Sequence, residues 1–154
     1  MTLEELKSKK LDLTQNQAVD FCQAYIDQAS GQTDNAIKLY GQVMTKLMQA
    51  YTTEKAKGGD ENWAIAYGIP DNYYDSASLL ANIYQQSKDY TNEAKYLTLY
   101  LQGKPTDASA LVDRGNAYLA LGQKDKAKSD FQNALKYIPN DADATAGLKK
   151  AEGK

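Results

Sequence analysis

The sequence predicts an all-α protein made of antiparallel helix hairpins stacked as a short solenoid. Three observations carry this. Apolar residues recur at helical spacing along most of the chain, and no stretch alternates apolar with polar residues as a half-buried strand would. From Asp71 onward the helical stretches have similar lengths and are joined by short turns, SKDYT, GKPTD, GQK and IPND, so successive helices are antiparallel neighbours. A pattern of large and small residues also returns after 34 residues: Ala77-x-x-Leu80-Ala81-x-x-Tyr84 is followed by Leu111-x-x-Arg114-Gly115-x-x-Tyr118.

The elements follow in order. Thr2 and Glu5 have capping-box spacing and start a short, charged helix, the N-terminal extension of residues 1–13. A second helix starts near Thr14 and ends at about Ser30, where SGQTD punctuates the chain. A long third helix starts near Asp34. Ala36, Tyr40, Val43, Leu47 and Tyr51 form its apolar stripe, widened by Ile37, Met44 and Met48. These two helices make a divergent hairpin over 14–57, and residues 58–71 form an insertion that contains Trp63. Two regular units then occupy 72–140, with helices at about 72–87, 91–102, 107–121 and 124–137. A capping helix fills 141–154, its polar face provided by Lys149, Lys150 and Glu152 because a last unit has no neighbour to cover it.

The second regular unit shows Leu111, Gly115, Tyr118, Ala127, Phe131, Ala134 and Pro139. Small residues stand where two helices cross, aromatic residues fill the space between helices, and Pro139 ends the second helix. This spacing resembles the tetratricopeptide repeat (TPR) family. The resemblance covers about 74–154 well and 14–57 weakly. In the first regular unit Ala94 is matched to Ala127, which makes the stretch from Tyr84 one residue longer, and Thr98 stands in place of the aromatic residue. Arg114 occupies a position where the family prefers Leu, with its stem packed and its guanidinium expected to reach solvent. In the N-terminal hairpin Ala18-x-x-Phe21-Cys22-x-x-Tyr25 puts Cys22 in the small slot, followed by Ala36 and Tyr40.

Composition narrows the function. The 154 residues include no His, one Cys and a net charge of −2. The commonest general base and zinc ligand is therefore absent, and no internal disulfide can form. There is no phosphate-binding Gly loop, nucleophile elbow or calcium-loop spacing, so no catalytic residue, cofactor or metal is expected. Lys124, Lys126 and Lys128 alternate with Asp125 and small residues and read as a solvated helix start, which argues against nucleic acid. No run is long and apolar enough for a membrane helix. No N-terminal apolar run resembles a signal peptide, so a cytoplasmic protein is expected, with a leader removed before Met1 left open.

The TPR resemblance implies a right-handed superhelix whose first helices line a concave groove. Carried over, the peptide-binding positions are Asp75, Ser78, Asn82, Gln85, Ser109, Val112, Asn116 and Leu119. Asn82 and Asn116 recur in register and could hydrogen-bond an extended peptide; the alternative is that they face water. Some family members hold a C-terminal carboxylate with groove Lys and Arg. Ser78 and Val112 stand where the first-helix Lys would be, which argues against that clamp and against chaperone C-termini. A second candidate is the aromatic group Trp63, Tyr67, Tyr73 and Tyr74, either packed beneath the insertion or exposed as an interface. Cys22 reads as a packing residue. Acidic pairs such as Asp60 with Glu61 and Asp141 with Asp143 suit helix N-termini. The leading expectation is a non-catalytic scaffold that binds a protein or peptide segment. The alternative is a structural module that self-associates through the Trp63–Tyr74 segment or the repeat ends.

Overall fold

A computed structural model describes residues 13–56, 58 and 69–153 of the chain. The Thr2 helix, Asp60, Glu61, Trp63 and Tyr67 lie outside these residues. The described residues form seven helices and no strand: α1 (Leu13–Ala29), α2 (Thr33–Ala56), α3 (Ile69–Gln86), α4 (Tyr90–Gly103), α5 (Ala108–Ala120), α6 (Lys124–Tyr137) and α7 (Ala142–Glu152). The fold is all-α, a succession of helix hairpins. It divides into two compact units, Met1–Ser76 and Ala77–Lys154, with the boundary inside α3.

In the first unit α1 packs along α2. Ala36, Tyr40, Val43, Met44 and Leu47 are buried on one face of α2, as the stripe predicts. Met48, expected to widen the stripe, instead faces out at 43% exposure. The ring of Phe21 meets Tyr40 edge-on at 5.6 Å, and the Tyr40 hydroxyl donates to the Gln28 side-chain carbonyl at 3.1 Å. Lys46 joins the two helices through Asp20 at 2.7 Å.

The register of this hairpin differs from the sequence expectation. Cys22 is exposed and Tyr25 is 59% exposed, whereas Ala24 is fully buried. The small slot therefore belongs to Ala24. The turns give independent support. Gly31, Lys88 and Gly122 each take a left-handed backbone, with φ of 79°, 59° and 72°. Each donates its N–H three residues back, and the next residue donates five back: Gly31 to Gln28 and Gln32 to Asp27, Lys88 to Gln85 and Asp89 to Tyr84, Gly122 to Leu119 and Gln123 to Tyr118. The same turn thus closes all three hairpins, seven residues after Ala24, Ala81 and Gly115 respectively.

This backbone register removes the extra residue inferred between Tyr84 and Ala94. The N–H groups of Ala36, Glu93 and Ala127 each close the first turn of their helix, onto Gln32, Asp89 and Gln123. Glu93, not Ala94, therefore occupies the slot of Ala36 and Ala127. By the same offset Leu97, not Thr98, stands at the position of Phe131, and Leu97 is buried in the core.

The second unit is built on one cluster that runs through Ala81, Leu97, Leu101, Leu111, Ala127, Phe131, Ala134 and Ala144. Helix starts follow from capping. Asp89, Asp107 and Asp141 accept from the N–H of Asn92, Ala110 and Ala144 at 3.1, 3.1 and 2.7 Å. Gly153, in a left-handed conformation, ends α7. The small slot at Gly115 has a direct cause: a Cβ there would sit 2.7 Å from the Phe131 ring, and one at Gly147 would meet that ring more closely still.

Arg114 does not send its guanidinium to solvent. Nε and Nη2 donate to the two oxygens of buried Asp130 at 2.8 and 2.7 Å, and Nη1 donates to Thr98 Oγ1 at 3.2 Å. Thr98 in turn donates to the Ala94 carbonyl at 2.7 Å. Asp130 holds the guanidinium proton more tightly than usual, against the opposing effect of burial. The two sequence departures noted at 98 and 114 are one fork that joins α4, α5 and α6.

Candidate functional site: an acidic groove in the second unit

The two first helices of this unit, the end of α3 and α5, stand on one side of α4 and leave a groove of about 170 Å³. Its walls are Ser78, Ala81, Asn82 and Gln85 from α3, and Ser109, Ala110 and Asp113 from α5. Glu93, Leu97 and Tyr100 of α4 and the capping residue Asp107 complete it. The helical register accounts for this set. Positions 78, 82 and 85 fall on the same stripe of α3, and 109, 110 and 113 on one face of α5.

Four of the residues singled out from the sequence thus come together: Ser78, Asn82, Gln85 and Ser109. Asn82 is exposed and accepts from Gln86 Nε2 at 2.9 Å. The others lie elsewhere. Asn116 is exposed on α5 outside the groove. Leu119 packs against the core and Val112 is part of it. Asp75 is exposed in the first unit. Tyr73 and Tyr74 are half-buried and meet edge-on at 5.4 Å, and Tyr73 packs against Val43 and Leu47.

Sequence reasoning missed the acids. Glu93 is 2% exposed although it carries a carboxyl group. Burial pushes its pKa from 4.5 up to about 7, partly opposed by a hydrogen bond with the Gln85 side chain and assisted by nearby Asp113. The carboxyl of Asp113 is likewise raised, chiefly by burial, with Gln85 again opposing and Asp107 and Asp143 assisting. Asp107 is held by the Tyr100 hydroxyl, which donates to Oδ2 at 2.7 Å. No Lys or Arg lines the groove. Among the described residues no group of three or more His, Cys, Asp or Glu is arranged to hold a metal ion. A signal for Glu93 was present in the sequence: the strict 34-residue offset from Ala127 lands on it.

Successive helix hairpins with an open groove define a class of protein, the helical-repeat fold. Residues 108–141 of the chain match the model of the Tetratricopeptide repeat. Among curated proteins it is similar to the heat shock protein sti1 homolog of Schizosaccharomyces pombe, 28% identical over 103 residues. That match covers 67% of this chain but only 17% of the relative's length. Among solved structures it is similar to the C-terminal TPR-containing domain of an FK506-binding protein of Plasmodium falciparum, with a TM-score of 0.72 at 17% identity over 99% of this chain and 92% of that one. It is also similar to the first TPR of Spaghetti (RPAP3) bound to the HSP90 peptide SRMEEVD, at TM-score 0.58 and 22% identity over 91% and 93% of the two chains. The second TPR domain of human RPAP3, in complex with the HSP70 peptide SGPTIEEVD, gives TM-score 0.59 and 20% identity over 92% and 99%. Among the described residues no helix is long and apolar enough to cross a membrane.

Proposed function

We propose that the chain is a non-catalytic interaction scaffold that receives a segment of a partner protein in the groove between α3, α4 and α5. The observation that carries this reading is the groove itself. A floor of Ala81, Leu97 and Ala110 lies beneath a rim of Ser78, Asn82, Gln85 and Ser109, which offers apolar contact below and hydrogen-bonding groups for an extended backbone above. The Tetratricopeptide-repeat match over 108–141 and the peptide-bound structures of similar fold support it. The absence of His and of any catalytic motif in the sequence supports a role without turnover.

The peptides held by the two RPAP3 domains end in EEVD. The groove here presents Glu93, Asp107 and Asp113 and no basic side chain, so an acidic C-terminus would meet like charge. The partner of this chain is therefore of a different kind.

The test is capture from a lysate of the source organism with wild type beside an Asn82→Arg, Ser109→Arg double variant. Both substitutions are at exposed positions on the rim, so the helical circular dichroism should be unchanged. A partner captured by wild type and lost in the variant supports the groove. A partner held equally by both moves the binding surface elsewhere.

A further inference from the structure

We infer that the groove selects a partner segment by one basic side chain, Lys or Arg, whose cationic end seats between Glu93 and Asp113 while its stem lies on Leu97 and Ala110. This rests on the scaffold reading above and names the chemistry of its ligand.

The geometry begins with the slot of Glu93. In the other two hairpins the equivalent residues are Ala36 and Ala127, both fully buried where two helices cross. Alanine fits that contact, and a carboxyl group there has to be accommodated beside it. Glu93 lines the groove, with 2% of its surface exposed. Its hydrogen-bonding partner is the Gln85 amide, and it forms no ion pair among the described residues. A carboxylate that deep is ordinarily paired with a cation. No Lys or Arg of the chain lines the groove, so a cation on a partner segment would be the first to pair with it.

The surroundings specify what kind of cation. The carboxyl groups do not converge as metal ligands. The volume of about 170 Å³ is below the range of about 300–1,000 Å³ for sites that enclose a small-molecule ligand, and suits a single side chain. The walls alternate in character: Leu97, Ala81 and Ala110 below, the Gln85 side chain and two carboxyl groups around. An aliphatic stem with a cationic head matches that order. Ser78, Asn82 and Ser109 on the rim remain for the backbone on either side. Asp107 is committed to the α5 cap and to Tyr100, so it contributes charge rather than a free acceptor.

The test uses the full chain and four pools of terminally blocked nonapeptides, randomised except for a central Lys, Arg, Gln or Glu, read by fluorescence polarisation. The Lys or Arg pool is expected to bind about tenfold or more tighter than the Gln pool, the Glu pool weaker again, since a charge-assisted hydrogen bond in such a site is worth that factor. Glu93→Gln and Asp113→Asn should each bring the basic pools down to the level of the Gln pool without changing the helical signal. Ser109→Arg should remove binding of every pool. Equal binding of all four pools, abolished by Ser109→Arg, overturns the charge assignment and leaves the groove reading standing. A preference for basic pools that survives both carboxylate variants overturns it too. No binding by any pool overturns both.

Discussion

Replacing Glu93 by Gln should make the protein more stable at pH 8 and leave it nearly unchanged at pH 5. In the folded chain burial raises this carboxyl to about 7, whereas in the unfolded chain it titrates near its ordinary value of 4.5. Between these values the folded state keeps a proton that the unfolded state has released. The stability linked to this group is therefore fully present below pH 4 and is lost as pH rises through 7. A gap of about 2.5 units, at about 1.4 kcal/mol each, is on the order of 3–4 kcal/mol between the two plateaus. Gln has the shape of the protonated acid and can still accept from Gln85. Asp113 acts with the same sign but from a lower starting value, and it is present in both proteins. Asp89, lowered by its hydrogen bonds with Asn92, contributes stability that is lost only as pH falls below this window. The assay is urea unfolding followed by helical circular dichroism from pH 5 to 8. Wild type should lose stability across the range more steeply than the variant, the curves approaching one another toward pH 5. Parallel curves, or a variant less stable than wild type at pH 8, would refute the reasoning.

Lys88→Gly should stabilise the protein by about 1 kcal/mol in the same unfolding assay, because Lys88 holds the left-handed turn that Gly31 and Gly122 hold elsewhere without strain. Gly147→Ala should cost roughly 1–3 kcal/mol despite the better helix propensity of Ala, since its Cβ would press on the fully buried Phe131 ring; adding Phe131→Leu should recover part of that loss relative to Phe131→Leu alone. In a double-mutant cycle, Arg114→Leu and Asp130→Leu should each destabilise by about 3–5 kcal/mol, and the pair by less than the sum, as each single change strands a buried charge. Cys22 should react with a thiol reagent in the native protein about as fast as in urea, and Cys22→Ala should shift stability by no more than about 0.5 kcal/mol.

Helix positions were legible because they are set by local pattern. The runs ending at Gly31, Lys88 and Gly122, and the caps at Asp89, Asp107 and Asp141, are written in residues a few places apart. Register within the hairpins was less legible, because large and small residues each occur on adjacent positions. Ala94 and Thr98 offered a plausible match one place away from Glu93 and Leu97, and Cys22 one two places away from Ala24. The choice is settled by the left-handed residue of the turn, and Lys at 88 conceals that residue where Gly would have announced it. The Arg114 fork was hidden for another reason: its acceptors, Thr98 and Asp130, lie 16 residues away on either side. Ser78, Asn82, Gln85 and Ser109 came together as the resemblance implied. The acids did not emerge, since Glu93 reads as an ordinary charged residue in the first turn of a helix until its slot is known.

The slot of Glu93 bears on why fold likeness and ligand part company here. Hairpin packing constrains the crossing points, and two of the three hairpins meet that constraint with Ala36 and Ala127. At the third the same backbone carries a carboxyl group whose burial makes the folded state less stable at neutral pH and above. Packing alone gives no reason for it, because alanine satisfies the contact in this very chain. A buried charge that weakens the fold and opens onto a groove is accounted for when something in that groove uses it. The related structures share the fold at 17–22% identity, whereas a ligand would touch side chains such as those at 78, 93 and 113. The backbone therefore fixes where a partner segment would lie, and those side chains, acidic at 93 and 113, fix the sign of the charge it must bring.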